Sequence, residues 1–281
     1  MKTRIITGIV AAALMIPVLI FSNTLALPIG MAICSVISVY EMMSCVGMKK
    51  AYALKVPLLI CAGGLPIFIR LADNMDLVER TVIAGCFFMA LYFFVVLTFS
   101  HGKYKLSDIA VCFMTTFYIL AGYNALMIVH DYEQGGIFAC LTIFLCAWIT
   151  DTFAYFCGML FGRGGKHKLI PDVSPKKTVE GSIGGIVFCV GFMLLYGFII
   201  DQCNVGLRPH YLNLFVGGFL ASIVSQIGDL LMSVIKRTYG IKDYGKIFPG
   251  HGGMLDRFDS VLAVSIVLSV CGAFMNFFEV V

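Results

Sequence analysis

The sequence predicts an all-α, polytopic membrane protein with about nine transmembrane helices, an N-terminus in the cytosol and a C-terminus outside. Of its 281 residues, 60% are hydrophobic and 13% are charged, whereas ordinary soluble domains carry about 25% charged residues. The hydrophobic residues also come in continuous runs of the length that a membrane-spanning helix needs. A soluble fold would leave much of this apolar surface in water, which the hydrophobic effect opposes.

Nine apolar runs are long enough to cross a bilayer. They are residues 5–22, 27–47, 54–72, 81–100, 107–129, 137–161, 182–201, 213–235 and 260–279. Because lipid offers no hydrogen-bond partners, each span must be a helix or part of a closed barrel. The runs lack the period-two alternation of barrel strands, which excludes a barrel. The first run follows a basic N-terminus, as a signal peptide would, but its length favours a retained helix.

The basic residues predict the orientation. With the N-terminus in the cytosol, all but three of the 20 Lys and Arg residues fall in cytosolic segments. The exceptions are Arg70, Arg80 and Arg208. This distribution satisfies the positive-inside rule. Both long basic segments, residues 162–181 and 233–259, are therefore predicted to face the cytosol.

We predict a single membrane domain over residues 1–281. Residues 1–130 form mainly apolar helices with short loops, and residues 131–281 hold both basic segments. The eleven cysteines have neither C-x-x-C nor zinc-site spacing, so the sequence predicts no disulfide framework and no zinc site.

The segment 233–259 is unusually polar for this chain and indicates a phosphate site. Its glycine-rich part is Gly250-His251-Gly252-Gly253, directly before the last predicted helix. Glycines let backbone N–H groups approach an anion, and a helix N-terminus adds partial positive charge. His251 is predicted either to donate to a phosphate or to pack.

Three aspartates predict a metal site. Asp229 lies near the middle of the eighth run, where an ionised carboxylate costs about 2.5–3.5 kcal/mol, so it should be paired, protonated or bound to a cation. Asp256 and Asp259 are three residues apart at the start of the last helix and converge with Asp229 if the last two spans pack together. Such carboxylates, with substrate phosphates, suit Mg²⁺. The alternatives are a protonated Asp229 bonded to a neighbouring helix and an Asp256 that caps its own helix.

The other basic segment, 162–181, offers a second phosphate site. Lys176 and Lys177 lie between the hydroxyl residues Ser174 and Thr178, a plausible cradle for polyphosphate, although no Walker A string occurs. The alternative is a loop that only sets topology and attracts anionic headgroups. Two further acids, Glu41 in the second run and Asp151 in the sixth, are predicted to line a polar cavity or to pair with loop cations.

Residues 233–259 resemble the signature of the phosphatidate cytidylyltransferases, also called CDP-diacylglycerol synthases. The matching string is Ser-x-apolar-Lys-Arg-x4-Lys-Asp-x-Gly-x2-Phe-Pro-x-His-Gly-Gly-apolar-x-Asp-Arg-apolar-Asp. Residues 151–181 resemble that family's second region, with Asp-Thr-x-Ala-Tyr, Gly-Lys-His-Lys-Leu and Ser-Pro-Lys-Lys-Thr-x-Glu-Gly. Gly162–Gly165 departs from the pattern in length, which leaves Arg163 and Lys166 without a fixed alignment.

The resemblance implies that CTP and phosphatidic acid react to give CDP-diacylglycerol and pyrophosphate, with Mg²⁺ as cofactor and in many members a homodimer. It places the protein among the lipids of the cell membrane, with the active site facing the cytosol and no nucleic-acid partner. The predicted catalytic residues are Asp229, Asp256, Lys177 and His251, and the predicted metal ligands are Asp229, Asp256 and Asp259. The predicted substrate-binding residues are Ser174, Lys176, Thr178, Ser233, Lys236, Arg237, Lys242, Gly252, Gly253 and Arg257.

Two other functions compete with this one. Acids inside spans are also typical of a proton- or ion-coupled transporter, which would not need two basic segments on one side. A CDP-alcohol phosphotransferase handles the same lipid product, but its Asp-Gly-x2-Ala-Arg…Gly-x3-Asp-x3-Asp string is absent.

Overall fold

The computed structural model describes residues 13, 15–72, 74–100, 102–132, 135–162, 167–250 and 252–281. Residues 13 and 15–20 are helical, and eight further helices lie within the described residues. They are α1 (Ala26–Cys45), α2 (Tyr52–Leu71), α3 (Met75–Phe99), α4 (Leu106–Tyr132), α5 (Ile137–Phe161), α6 (Val179–Gln202), α7 (Tyr211–Thr238) and α8 (Leu255–Gly272). Half of the first predicted span, 5–22, lies outside the described residues, as do Arg163, Lys166 and His251.

Helices α1 to α7 are long and apolar enough to cross a membrane. Their ends match the second to eighth predicted spans to within three residues, except that α3 begins six residues earlier than predicted. The sixth predicted span, 137–161, has the same bounds as α5. A mostly helical membrane protein is therefore confirmed for the described chain. The total of nine spans and the direction in which they cross stay predictions.

The last predicted span, 260–279, needs a correction in extent. Helix α8 begins at Leu255 and ends at Gly272, and its early residues Asp256, Arg257 and Asp259 keep it from meeting the composition of a typical span. After α8 the chain turns, and residues 278–280 form a strand. The strand forms because a complementary strand before α7 supplies its hydrogen bonds, a pairing that hydropathy does not report.

Two small antiparallel ladders accompany the helices. β1 (Lys168–Ile170) pairs with β2 (Ser174–Thr178), so part of the basic segment 162–181 is a hairpin rather than a loop. β3 (Leu207–Pro209) pairs with β4 (Phe278–Val280). The sequence predicted neither ladder, because strands of three to five residues are too short for periodicity to identify.

The described chain divides into two compact units. Unit 1 holds the described residues up to Met127 and the segment Ile241–Arg257, and unit 2 holds Ile128–Gly240 and Phe258–Val281. The first division falls close to the predicted change of character at residue 130. The second assigns most of the polar segment 233–259 to the unit formed by the N-terminal helices. The single membrane domain stays a prediction.

In unit 1, α1 is fixed by close contacts with α2 and α4. A Cβ built on Gly63 of α2 would lie 3.4 Å from a methyl group of Val36 on α1. On another side of α1, the Ser38 hydroxyl and the buried Tyr123 hydroxyl of α4 are 2.9 Å apart and share a hydrogen bond. These contacts fix the rotation of α1 and hence the position of Glu41 one turn after Ser38.

In unit 2, small residues bring α5 and α6 into close contact. A Cβ on Gly181 of α6 would collide with the carbonyl oxygen of Ala154, and one on Gly185 would lie 3.0 Å from the carbonyl oxygen of Thr150. Small residues serve this purpose in membrane helices because backbones then approach closely and gain dispersion contacts. The packing fixes the start of α6, where strand β2 delivers Lys177.

The C-terminal residues of unit 2 return to the start of α7. Arg208 pairs with Glu279 across the β3–β4 ladder, and the side-chain amide of Asn213 donates to the carbonyl oxygen of Asn276 at 2.7 Å. Asp259 lies near Lys236, at the other end of α7. The chain from Asp259 to the C-terminus therefore runs back along the length of α7.

Candidate active site

In unit 1, a carboxylate organises the segment before α8. The Asp256 side chain is 7% exposed, and its Oδ2 accepts hydrogen bonds from the backbone N–H groups of Tyr244 at 2.8 Å and Gly253 at 2.9 Å. Phe248 and Gly252 exchange backbone hydrogen bonds of 2.9 and 3.0 Å, which closes the intervening turn. Gly252 has a φ of +91°, a conformation that strains other residues.

A second carboxylate, from α1, holds the first residues of α8. Glu41 is 4% exposed, and its two oxygens accept from the backbone N–H groups of Met254 at 3.0 Å and Leu255 at 2.9 Å. The first N–H groups of a helix lack intrahelical partners, and the helix dipole favours a negative charge there. Glu41 therefore caps α8 from another helix. The sequence singled out this residue but left its role between a polar cavity and a loop cation.

Backbone N–H groups at the end of the glycine-rich turn are thus hydrogen-bonded to acceptors within the protein. The N–H groups of four consecutive residues, 252 to 255, donate to Phe248, Asp256 and Glu41. The expectation that Gly252 and Gly253 present their N–H groups to a phosphate has no support in this arrangement, because those donors are already used. Their substrate contact stays a prediction, and His251 lies outside the described residues.

A basic cavity of about 700 Å³ lies beside this turn. Its charged lining residues are Lys242, Asp243, Lys246 and Arg257. Lys242, Arg257 and Gly252 were predicted to bind substrate, and Lys246 is a cation that the prediction omitted. Three cations against one acid favour an anionic ligand. Because the N–H groups of residues 252 to 255 are engaged, the side chains of Lys242, Lys246 and Arg257 are the described groups that favour phosphate binding here.

In unit 2, Asp229 forms an ion pair. The Lys177 Nζ lies 2.5 Å from Oδ2 of Asp229 and 3.5 Å from the carbonyl oxygen of Gln226. Both side chains are partly exposed, at 22% and 28%. Of the three states predicted for Asp229, the structure has the paired one. Strand β2 and α7 thereby bring together two residues that the sequence placed in separate segments.

Two more acids lie near this pair. The Ser260 hydroxyl donates to Oδ2 of Asp151 at 3.0 Å, and the Ser260 N–H donates to Oδ1 of Asp259 at 2.9 Å. Asp151 belongs to α5, Asp229 to α7 and Asp259 to α8, so three helices contribute carboxylates. We call Asp151, Asp229 and Asp259 the acid cluster.

Burial and the neighbouring acids disfavour the ionised form of Asp259. Asp259 precedes the apolar part of α8 and belongs to none of the candidate spans. Burial and then the nearby Asp229 carboxylate raise the pKa of Asp259 to about 8, with Asp151 acting in the same direction and Lys236 against it. A bound cation would relieve this repulsion and favour the ionised form of Asp259.

The acid cluster fits Mg²⁺ only as a partial coordination shell. Within the described residues, no three His, Cys, Asp or Glu side chains form a group that could hold a metal ion alone. Mg²⁺ is commonly held by one or two carboxylates, with water and substrate phosphates completing the octahedron. The donor set is therefore of the right chemistry for Mg²⁺ bound together with a nucleotide.

The remaining predicted residues of unit 2 surround β2 and the end of α7. Thr178 caps α6, its hydroxyl accepting from the Gly181 N–H at 3.1 Å, which gives it a structural role beside the predicted one. Lys236 is buried near Asp259, whereas Lys176 and Arg237 are exposed. Ser174 and Ser233 are partly buried. Their contacts with substrate stay predictions.

Fold and site together define a helical membrane protein that has an acid cluster in one unit and a basic, glycine-bounded cavity in the other. Comparison with known proteins also points to a membrane enzyme that handles phosphates. The model of the cytidylyltransferase family matches residues 2–275. A phosphatidate cytidylyltransferase of Staphylococcus saprophyticus is 35% identical over 274 residues, covering 96% of this chain and 98% of that protein. The phosphatidate cytidylyltransferases of Staphylococcus aureus strain COL and Staphylococcus epidermidis are 35% and 34% identical to this chain. Both alignments again cover 96% of this chain and 98% of the relative.

The chain belongs to the cytidylyltransferase family and is a nucleotidyltransferase of the membrane. This confirms the family that the two segments predicted, and it excludes the transporter and the CDP-alcohol phosphotransferase as the primary function.

Proposed function

We propose that this protein is a phosphatidate cytidylyltransferase, which converts CTP and phosphatidic acid to CDP-diacylglycerol and pyrophosphate in phospholipid biosynthesis. The observation that carries the proposal is the similarity to enzymes of that name over nearly the whole of both chains. The acid cluster and the basic cavity support it, because the reaction joins two polyanions. We place the protein in the cell membrane with both basic segments facing the cytosol, where CTP is found.

The lipid phosphate is the nucleophile. A phosphate monoester has a second pKa of about 6, so near neutral pH one of its oxygens attacks without a general base. That oxygen bonds to the α-phosphorus of CTP while the bond from the α-phosphorus to the bridging oxygen breaks. Pyrophosphate leaves with the electron pair. In such transfers catalysis is mostly positioning and electrostatic stabilisation.

Each unit, taken by itself, has cations that can offset the negative charge of a phosphate. In unit 2, Lys177 can exchange its Asp229 partner for a phosphate oxygen because both side chains are partly exposed. In unit 1, Lys242, Lys246 and Arg257 line one cavity. Preorganised cations of this kind stabilise a charged transition state without reorganising during the reaction.

Asp229 and Asp259 are the residues that we propose to hold Mg²⁺, and Asp256 stays a ligand predicted from the family resemblance. When bound, Mg²⁺ neutralises charge on phosphate oxygens. The buried Lys236 beside Asp259 favours the ionised carboxylate that a metal ligand needs.

The test uses purified protein in detergent with phosphatidic acid, Mg²⁺ and CTP labelled either at the α- or at the γ-phosphate. The proposal requires α-label in the lipid phase and γ-label in aqueous pyrophosphate. Asp229→Asn serves as the matched variant, expected to lower the rate by about 10³-fold, as when an electrostatic element is removed. Folded wild-type protein that leaves the lipid unlabelled, or that transfers the γ-label to lipid, would refute the proposal.

A further inference from the structure

A second cavity adjoins the basic one in unit 1. It has a volume of about 340 Å³, and its walls include Val36 and Ile37 of α1, Leu59 of α2 and Ile247 of the segment before α8. Gly245 and Lys246 line both cavities. The two spaces therefore adjoin at these residues, one with mainly aliphatic walls and the other basic.

Charge at the junction favours an anionic headgroup. Lys246 is exposed and belongs to both linings, and Lys242 and Arg257 line the basic side. The acid in the apolar cavity, Glu41, accepts two backbone hydrogen bonds at the N-terminus of α8, whose dipole offsets its charge. The junction thus presents a cation where an aliphatic space meets a polar, basic one.

An amphiphile with a phosphate at one end matches this pair of cavities. We propose that an acyl chain of the lipid substrate lies in the apolar cavity between α1 and α2, with its phosphate beside Lys246. This assignment rests on the proposed function, which supplies a substrate with both parts. It adds a binding site for the acyl chain and makes Ile37, Leu59 and Ile247 the residues that sense chain length.

The physical contribution of this site is selectivity rather than affinity. Lipid tails in the bilayer are about as apolar as aliphatic side chains, so moving a chain into the cavity gains little hydrophobic free energy. Shape decides instead, because a chain that does not fit loses contacts or forces side chains aside. Filling the cavity should therefore penalise long chains and leave short ones nearly unaffected.

The test compares Leu59→Trp with the control Ile60→Trp. Leu59 lines the cavity, whereas its neighbour Ile60 on the same helix is 68% exposed and does not. In mixed micelles, we expect Leu59→Trp to lower kcat/KM by about tenfold for dioleoyl phosphatidate, the size of a misfit in an apolar pocket. For dihexanoyl phosphatidate, and for CTP measured with that short lipid, kcat/KM should stay near wild type.

Equal losses for both lipids, or the same selectivity change in Ile60→Trp, would overturn the acyl-chain site. If Leu59→Trp does not fold, wild-type protein decides the matter with a phosphatidate that carries a diazirine in mid-chain. Crosslinks at residues 36–44 or at Leu59 support the site, and crosslinks only elsewhere exclude it. Failure of wild-type protein to use either lipid is a different outcome, because it rejects the proposed function itself.

Discussion

Two carboxylates take up the backbone N–H groups at the start of α8. Asp256 accepts from Tyr244 and Gly253, and Glu41 accepts from Met254 and Leu255. The sequence predicted Asp256 as a metal ligand or as a cap of its own helix. In the structure its carboxylate accepts from N–H groups that precede α8, and the metal role stays a prediction. The two roles are compatible, since a carboxylate has two oxygens and several lone pairs.

Substituting Asp256 separates these roles. In Asp256→Asn an amide oxygen still accepts from Tyr244 and Gly253, so the variant should unfold at a temperature closer to wild type than Asp256→Ala does. Cytidylyl transfer should nevertheless fall by about 10³-fold or more if Asp256 binds the metal. Thermal unfolding in detergent and the α-label assay measure the two effects. Asp201→Asn, at an exposed position in the last turn of α6, is the control. Near-normal turnover of Asp256→Asn would leave Asp256 only its structural role as acceptor for Tyr244 and Gly253.

Glu41→Gln tests the capping of α8 from α1. The amide oxygen can still accept one N–H, but the NH2 group that replaces the other oxygen cannot, so either Met254 or Leu255 loses its acceptor in a buried position. Such a loss costs about 1–3 kcal/mol. We expect a lower unfolding temperature and a higher KM for substrate, because Lys246 and Arg257 lie in the segment that Glu41 holds. Glu79→Gln, at an exposed position of α3, should match wild type. An unchanged unfolding temperature and KM in Glu41→Gln would contradict this account.

At the scale of elements, helix α6 depends on glycines for its approach to α5. The sequence predicted both spans accurately, since a long apolar run is a strong and local signal. It did not predict which face of α6 meets α5, because both helices are apolar around most of their circumference and amphipathicity gives no direction. Glycines at the contact, such as Gly181 and Gly185, show the face only once the partner is known.

Gly181→Ala should disturb this contact. The added methyl group would collide with the carbonyl oxygen of Ala154, so α6 must shift, and Lys177 with it. We expect a lower unfolding temperature and a weaker transfer activity. Gly191→Ala, on the same helix but with open space around it, should be neutral or slightly stabilising, because alanine favours a helix by about 0.5–1 kcal/mol over glycine. Equal behaviour of the two variants would show that the contact does not constrain α6.

At the scale of the whole molecule, the C-terminal residues bear on the number of crossings. Strand β4 pairs with β3 before α7, while Asp259 lies near Lys236 at the other end of α7. A ninth crossing requires such a return, although α8 alone is too polar at its start to be identified as a span. Hydropathy predicted the crossing but placed its end seven residues beyond Gly272, the last residue of α8.

With nine crossings and the N-terminus in the cytosol, the C-terminus should lie outside, on the same side as the segment between α6 and α7. In a cysteine-free background, single cysteines at Val205 and Val281 should react alike with a membrane-impermeant maleimide added to intact cells. A cysteine at Lys103 should react only after the membrane is opened, since the predicted N-in orientation places it in the cytosol. Opposite labelling of Val205 and Val281 would contradict the ninth crossing, and labelling of Lys103 in intact cells would contradict the orientation.

The sequence by itself determined the class of the molecule, the position of its spans and the two segments that carry chemistry. These depend on signals that are local in the chain: runs of apolar residues, charge in loops, and strings that resemble one family. It also indicated Asp229 as an acid that needs a partner, because an isolated charge in a bilayer is costly wherever the chain folds.

Only the tertiary structure decided the partners. Lys177 reaches Asp229 across 52 positions of the chain, and Glu41 reaches Leu255 across 214. No local pattern encodes such pairs, because they result from the packing of helices whose apolar faces are nearly interchangeable in sequence. For the same reason the N–H groups of Gly252 and Gly253 proved to be engaged by the Phe248 carbonyl oxygen and the Asp256 carboxylate, where local composition had predicted open donors for phosphate.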